Sequence, residues 1–185
     1  MNSIAELLNR YLALYPEEKE SFVLLRRQIV ANEDVVSRRN FTGHVTGSGL
    51  VLSPDRSHVL LIHHRFLERW LQPGGHMEPH EITPYDTALR EVREETGLQP
   101  LRYIGRKEEA QPIPVKIDAH FIPERPKKAE PEHWHYDFRY AFQATASQLD
   151  HQAVEVYAAE WLPLDDPRVE ALPWIKQAIS RLRAS

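Results

Sequence analysis

The chain predicts an α/β sandwich in which a mixed β-sheet lies between helical layers, with N-terminal helices added to it. Three observations carry that expectation. From Phe41 onward the apolar residues fall into short, β-branched runs separated by turn residues. One capped amphipathic segment, 83–96, interrupts those runs in the middle of the chain. A second amphipathic run, carried by Ile175, Ala178, Ile179 and Leu182, closes it after Pro173-Trp174. Strands on both sides of one central helix, with a helix at the end, bury their apolar faces best as helices against a sheet. At 185 residues, 42% hydrophobic and 27% charged, the chain has room for one full domain with a sizeable core and some appended structure.

The elements follow in order. Ile4, Leu7, Leu8, Tyr11 and Leu12 repeat at helical spacing behind Ser3 as a cap. Pro16 breaks that pattern and opens a second helix through Phe22, Leu25, Arg26 and Ile29. Residues 1–38 therefore read as a helical extension, and the plainer role for it is structural support or a homodimer contact. Residues 39–185 read as the main domain. There, 45–52 and 59–63 form strand, turn and strand around Ser53-Pro54-Asp55-Arg56-Ser57. Trp70-Leu71 leads into Pro73-Gly74-Gly75. Further strands are expected at 101–105, 113–122, 135–144 and 154–161, with a Pro- and Lys-rich loop from Pro123 to Pro131.

Composition narrows the function classes. A net charge of -4 offers no basic surface for nucleic acid, so no nucleic-acid partner is expected. Without cysteine there is neither a disulfide nor a thiolate metal site. The N-terminus lacks a basic and then apolar leader, and no apolar run reaches a membrane span. A cytoplasmic protein with no membrane partner is the expectation.

The 83–96 helix carries the chemistry. Thr83 suits the N-cap, Pro84 the first turn, Asp86 the capping box and Gly97 the left-handed C′ position. At about 100° per residue, Tyr85, Ala88, Leu89, Val92 and Thr96 share a core stripe. Glu91, Glu94 and Glu95 share a separate arc of about 100°. Glu91 and Glu95 are i,i+4 neighbours that repel by roughly 0.2–0.5 kcal/mol in water. Burial enlarges that penalty and raises the carboxyl pKa values, and a divalent cation reverses its sign. Hard oxygen donors with no thiol available favour Mg²⁺ or Mn²⁺. Arg90 can hold Glu94 in one rotamer. Gly74 and Gly75 let backbone approach a ligand, and a carbonyl there can be a further metal ligand. Glu-X-X-Glu-Glu by itself is an ordinary solvated face. The glycine pair, Glu81, the Thr-Pro cap and Gly97 together favour a metal site.

Gly75, Glu81, Arg90, Glu91, Val92, Glu94, Glu95, Gly97 and Leu98 resemble the Nudix box. One departure stands out: eight residues rather than seven separate Glu81 from Arg90. The extra residue falls at Ile82-Thr83 and leaves it open whether Glu81 reaches its usual partner. The resemblance spans about residues 41–183. Ile117-Asp118-Ala119-His120, with Glu130 to Phe142, is similar to a bacterial Nudix subgroup of unsettled substrate. It implies a Nudix-like α/β/α sandwich and a hydrolase that cleaves diphosphate linkages with magnesium or manganese. It implies metal binding at Glu94 and Glu95, metal binding or general-base work at Glu91, and orientation of one of these carboxylates by Arg90.

A second dense cluster is Glu130-Pro131-Glu132-His133-Trp134-His135-Tyr136-Asp137. In a strand, His133, His135 and Asp137 share a face that can bind phosphate, hold a metal or shuttle protons. Glu130 or Glu132 could add a carboxylate from outside the box. Trp134 reads equally well as core. Arg65, with His63 and His64, ends a strand near the glycine loop and is a candidate phosphate contact. His76 and His80 lie in the box loop without ligand spacing. Lys127 and Lys128 read first as solubilising residues. Substrate binding is thus expected at His133, His135, Arg65 and Gly75; metal binding at Glu91, Glu94, Glu95 and Gly74; catalysis at Glu91, Glu94 and Arg90.

The leading expectation is a metal-dependent hydrolase of a nucleoside diphosphate linked to another group, a small nucleotide-type substrate. The alternatives are a non-catalytic Nudix-like nucleotide sensor, and a different hydrolase with a transition metal on the His133, His135, Asp137 face.

Overall fold

Gly43–Leu52 is buried along its whole length, and that explains its place at the centre of the sheet. The computed structural model describes residues 3–108, 111–126, 129–150 and 156–184. The expected contributions of Lys127 and Lys128, and the expected strand start at 154, lie outside the described residues.

Three helical pieces come first: α1 (Ser3–Leu14), a 3-10 helix (Pro16–Phe22) and α2 (Val23–Val30). Ten strands follow, interrupted by α3 (Pro84–Thr96): β1 (Gly43–Leu52), β2 (His58–His64), β3 (Arg69–Leu71), β4 (Gly74–His76), β5 (Leu101–Tyr103), β6 (Lys107–Glu108), β7 (Gln111–Pro112), β8 (Lys116–Ile122), β9 (His133–Ala144) and β10 (Val156–Pro163). α4 (Pro167–Glu170) and α5 (Pro173–Ala184) end the chain. The main sheet runs β10-β2-β1-β9-β5, with β3 against β2, β4 against β1 and β8 against β9; β6 and β7 form a separate two-stranded antiparallel sheet. β1 and β9 pair in parallel from Gly43↔Trp134 to Leu52↔Gln143. The other pairings in the main sheet are antiparallel, so the sheet is mixed, as expected.

The period of two separates two cores. Val45 and Val51 of β1 and Tyr136, Phe138, Tyr140 and Phe142 of β9 meet Ala88 and Val92 of α3 on one face. Ile4, Leu7, Leu8, Tyr11, Phe22 and Leu25 of the N-terminal helices join that same core. Leu50 and Leu52 alternate to the other face, with Val59, Leu61, Ala141 and Leu162, beneath Val169, Ile175 and Ala178. Gly47 and Gly49 allow α3 its close approach: an added methyl would lie 2.3 Å from the Pro84 carbonyl oxygen and 2.5 Å from Val92 Cγ2, respectively.

Two local expectations differ from the structure. Pro16 opens a 3-10 turn rather than the second α-helix, which starts at Val23. This tighter segment carries Glu18 against Tyr11, Lys116 and Arg181. Residues 69–76 are not a plain approach to a loop. They hold two short strands, because Arg69–Leu71 pairs with β2 and Gly74–His76 pairs with Ser48–Thr46. Among the described residues, no helix is long and apolar enough to cross a membrane.

Candidate active site

The local signals at α3 act as the sequence dictates. Thr83 is extended (φ -136°, ψ 155°), its backbone N–H donates to Asp86 Oδ2 at 2.9 Å, and its side chain accepts from the Asp86 N–H. Gly97 ends the helix at φ 72°. That conformation is left-handed, and a glycine adopts it without strain.

The additional residue before the helix is absorbed in the loop. Ile82 projects outward, 76% exposed. Glu81 turns back and reaches Arg90, Oε1 to Nε at 2.8 Å. Its other oxygen accepts from Thr87 Oγ1 and from the Glu78 N–H, each at 2.7 Å. Burial would raise the Glu81 carboxyl, but the bonds from Arg90, Glu78 and Thr87 outweigh it and hold the group below its ordinary value.

Arg90 is the hub of the arc. Its Nη1 donates to Glu91 Oε1 at 2.9 Å and to Glu94 Oε2 at 3.0 Å, and its Nη2 donates to the His76 carbonyl at 2.9 Å. Glu91 presses against β4: a methyl on Gly75 would lie 2.1 Å from Glu91 Oε1. A side chain at that position would push the carboxylate out of its place. Burial raises the Glu91 pKa, Arg90 opposes the shift, and Glu94 and Glu81 reinforce it. Glu95 is buried and accepts the Gly74 N–H at 3.0 Å. Glu94 reaches solvent, with 58% of its side chain exposed. Glu91, Glu94, Glu95, Arg90, Gly74 and Gly75 are thus brought together at one end of α3 and β4. Every side-chain donor toward a cation in this arc is a carboxylate oxygen. That set fits a hard divalent ion and not a soft one.

The histidines gather apart from this arc. On β9, His133 and His135 share a face, as period-two spacing predicts, but their companions come from other strands. His44 stacks on His133 at 4.8 Å between ring centroids. It lies 4.7 Å from His135 and 5.1 Å from His76. His76, which spacing within the box loop gave no ligand role, therefore belongs to this cluster. Burial, then the neighbouring rings, pulls His76 down to about 3 and His135 to about 2. Burial lowers His44 as well. In each of the three rings burial works against the charged form. Asp137 shares their face but is engaged elsewhere. It accepts from Thr46 Oγ1 (3.2 Å), Ser48 Oγ (2.8 Å), Gln72 Nε2 (3.2 Å) and Arg139 Nε (2.8 Å). His44 and His76 escaped sequence reasoning because only the β4-β1-β9 register aligns them with His135.

The remaining candidates are dispersed. Arg65 is exposed after β2, with its guanidinium 4.9 Å from the Tyr157 ring centroid. Glu130 pairs with Arg125 at 3.4 Å, and Glu132 is exposed. Trp134 packs against the main core and meets Phe121 edge-on at 5.8 Å. His80 is exposed.

Comparison with known proteins agrees with this architecture. The chain is 32% identical over 120 residues to a protein of Lactococcus lactis subsp. cremoris named "Probable DHNTP pyrophosphohydrolase"; the match takes in 65% of this chain and 66% of that one. Among solved structures, a NUDIX family hydrolase from Clostridium perfringens superposes with a TM-score of 0.58 at 22% identity, over 75% of this chain and 97% of that one. An Ap4A hydrolase from C. elegans gives a TM-score of 0.53 at 15% identity, over 76% of this chain and 97% of its own length. These two likenesses establish the fold. The family model described as "NUDIX domain" matches residues 43–182. A match across the greater part of the sequence, on a mixed sheet built around the carboxylate helix, makes this chain a member of the NUDIX domain family.

Proposed function

We propose that the chain is a divalent-metal-dependent pyrophosphohydrolase, cleaving the diphosphate linkage of a nucleoside diphosphate joined to another group. The observation that carries this reading is the crowding of Glu91 and Glu94 around Arg90, with Glu91 lodged against Gly75. Like charges held that close are a standing cost to the fold, and a hard cation removes it. Glu94 and Glu95, with the Gly74 carbonyl, are the proposed holders of Mg²⁺ or Mn²⁺, and Glu91 either joins them or serves as general base. The bound ion would neutralise charge on the diphosphate oxygens and lower the pKa of an attacking water. Burial of Glu91 raises its proton affinity, which suits a group that takes a proton from water. Arg90 fixes the carboxylates in place, so the arrangement is ready before substrate arrives. Gly75 leaves Glu91 its place in the arc, and the exposed Arg65 is proposed to meet the substrate; the contact expected at His133 and His135 is not carried forward, because both rings lie in the histidine cluster on the other face of the sheet. In this reading residues 1–38 are a helical layer added to a catalytic domain of residues 39–185.

The test is a product assay with Mg²⁺ or Mn²⁺ against nucleoside triphosphates, sugar nucleotides, dinucleoside polyphosphates and ADP-ribose. DHNTP, specified in the name of the Lactococcus lactis relative, belongs in the panel. Metal-dependent release of a nucleotide or pyrophosphate from at least one compound is expected. Tight binding with no product from any of them would instead mark a nucleotide sensor.

A further inference from the structure

Five histidines from four strands lie on the same side of the sheet. The register aligns His44 of β1 with His135 of β9, and His135 with His120 of β8. His76 of β4 sits opposite Thr46, one step from His44 along β1. On β4 the bare Cα of Gly75 faces Glu91, so by alternation His76 points to the opposite face, away from the carboxylate arc.

Hydrogen bonds fix which ring nitrogens carry protons. His44 Nδ1 lies 3.1 Å from the Asn40 carbonyl, and His133 Nδ1 lies 2.7 Å from the Pro131 carbonyl. A carbonyl only accepts, so both Nδ1 atoms are protonated. A ring that carries its proton on Nδ1 presents Nε2 as a lone pair. His133 Nε2 is 3.0 Å from His135 Nε2. The proton between them belongs to His135, which leaves His135 Nδ1 as a lone pair. His44 is fully buried, and among the described residues neither His44 Nε2 nor His76 Nε2 has a hydrogen-bond partner. One ligand atom from each of His44, His76 and His135 lies within 4.8 Å of those of the other two.

We infer that His44, His76 and His135 form a transition-metal site of the zinc class, on the sheet face opposite the carboxylate helix. Imidazole nitrogens are borderline donors, suited to Zn²⁺ and its neighbours and poor for Mg²⁺. Tetrahedral zinc at about 2.0–2.1 Å from each nitrogen asks for nitrogen separations of about 3.4 Å. The three ligand atoms lie within 4.8 Å of one another, so a bound ion would draw them closer together. The outer partners follow the usual pattern for metal-bound histidine, in which the second ring nitrogen is tied down. Asn40 holds His44, and the Pro131–His133 pair holds His135. His133 is a positioning residue here, and Asp137, bound to β1 hydroxyls and Arg139, takes no part. A cation in this place ties β4 to β1 and β9 from behind, and so steadies the glycines that seat Glu91 and Glu95.

The experiment is metal titration of the full-length, chelator-treated protein with Zn²⁺ and with Co²⁺. One equivalent is expected to bind, with the visible absorption of tetrahedral Co²⁺ and a nitrogen-rich shell by X-ray absorption. His76→Gln and His135→Gln should each weaken zinc binding about 100-fold or more, and His133→Phe about tenfold. Glu94→Gln should leave zinc binding unchanged even where it abolishes hydrolysis, which separates this site from the carboxylate one. The wild-type spectra decide the matter even if a histidine variant fails to fold. An oxygen-rich Co²⁺ shell, no stoichiometric zinc, undiminished binding in both glutamine variants, or zinc lost on Glu94→Gln would each overturn the assignment.

Discussion

Glu18 and Glu91 are both carboxylates packed into the protein, yet their proton affinities move in opposite directions. Burial pushes Glu18 up, but bonds from Tyr11, Lys116 and Arg181 outweigh it and leave the group below its ordinary value. Lys116 Nζ stands 2.9 Å from Glu18, and Arg181 reaches Glu18, the Tyr11 hydroxyl and the Val115 carbonyl. Glu91 has one cation, Arg90, shared with Glu81 and Glu94, and its pKa rises. The first cluster is electrically complete and joins the N-terminal helices to α5. The second is short of positive charge, and among the described residues His44 Nε2 and His76 Nε2 are likewise without a hydrogen-bond partner. Completed polar clusters serve the fold, and incomplete ones await something from solution.

The contrast can be broken first at the helix. Glu94→Gln should lower metal-dependent turnover by about 100- to 1000-fold, read as kcat/KM, with little change in Tm. Retained activity would mean the incomplete cluster is not the site of catalysis. Gly75→Ala should follow, because the new methyl overlaps the Glu91 carboxylate. A displacement of about 1 Å can cost on the order of 100-fold in rate, again with a folded protein by circular dichroism. At the completed cluster the order of effects reverses. Glu18→Gln should cost about 3 kcal/mol in denaturant unfolding, since it strands Lys116 and Arg181, while turnover of the folded enzyme is kept.

Acid unfolding sharpens the comparison further. The folded-state pKa of Glu18 is depressed, so its stabilisation is fully present above the unfolded value of 4.5 and is lost as pH falls through the folded value. Glu91 has the opposite sign. Its raised pKa makes the metal-free fold gain stability as pH drops through that value. Thermal scans from pH 7 to pH 3 should show less acid loss in Glu18→Gln than in the wild type. The smallest effect is expected from Glu91→Gln, which should raise the stability of the metal-free protein by about 0.5 kcal/mol while impairing turnover. A destabilised Glu91→Gln protein would show that Arg90 compensates the arc after all.

The parts of the molecule that were legible in advance are those set by neighbours in sequence. Thr83, Asp86 and Gly97 cap α3, and its arc of carboxylates follows from the turn of the helix alone. The return of Glu81 to Arg90 across the longer loop could not be settled beforehand, since it depends on Ile82 swinging out to solvent. The histidine cluster was half visible. Period two placed His133 and His135 together, but His44 and His76 enter through pairings with distant strands, which no local pattern encodes. Period two likewise puts Asp137 on their face, but its partners Thr46 and Ser48 arrive beside it only through that same register. Pro16 suits a helix start on local grounds, whereas the long-range demand of Tyr11, Lys116 and Arg181 on Glu18 accompanies a tighter turn there.

The side-by-side, same-direction pairing of Gly43 with Trp134 also bears on how the chain is made. While it emerges from the ribosome, its first long strand has no mate along that edge until the segment near residue 134 appears. The part of the core that Tyr136, Phe138, Tyr140 and Phe142 later cover stays open through that interval, a period in which chaperones or sticky encounters compete for it. A nascent chain halted before β9 should already carry its acidic helix in sequence and yet possess no working centre at all.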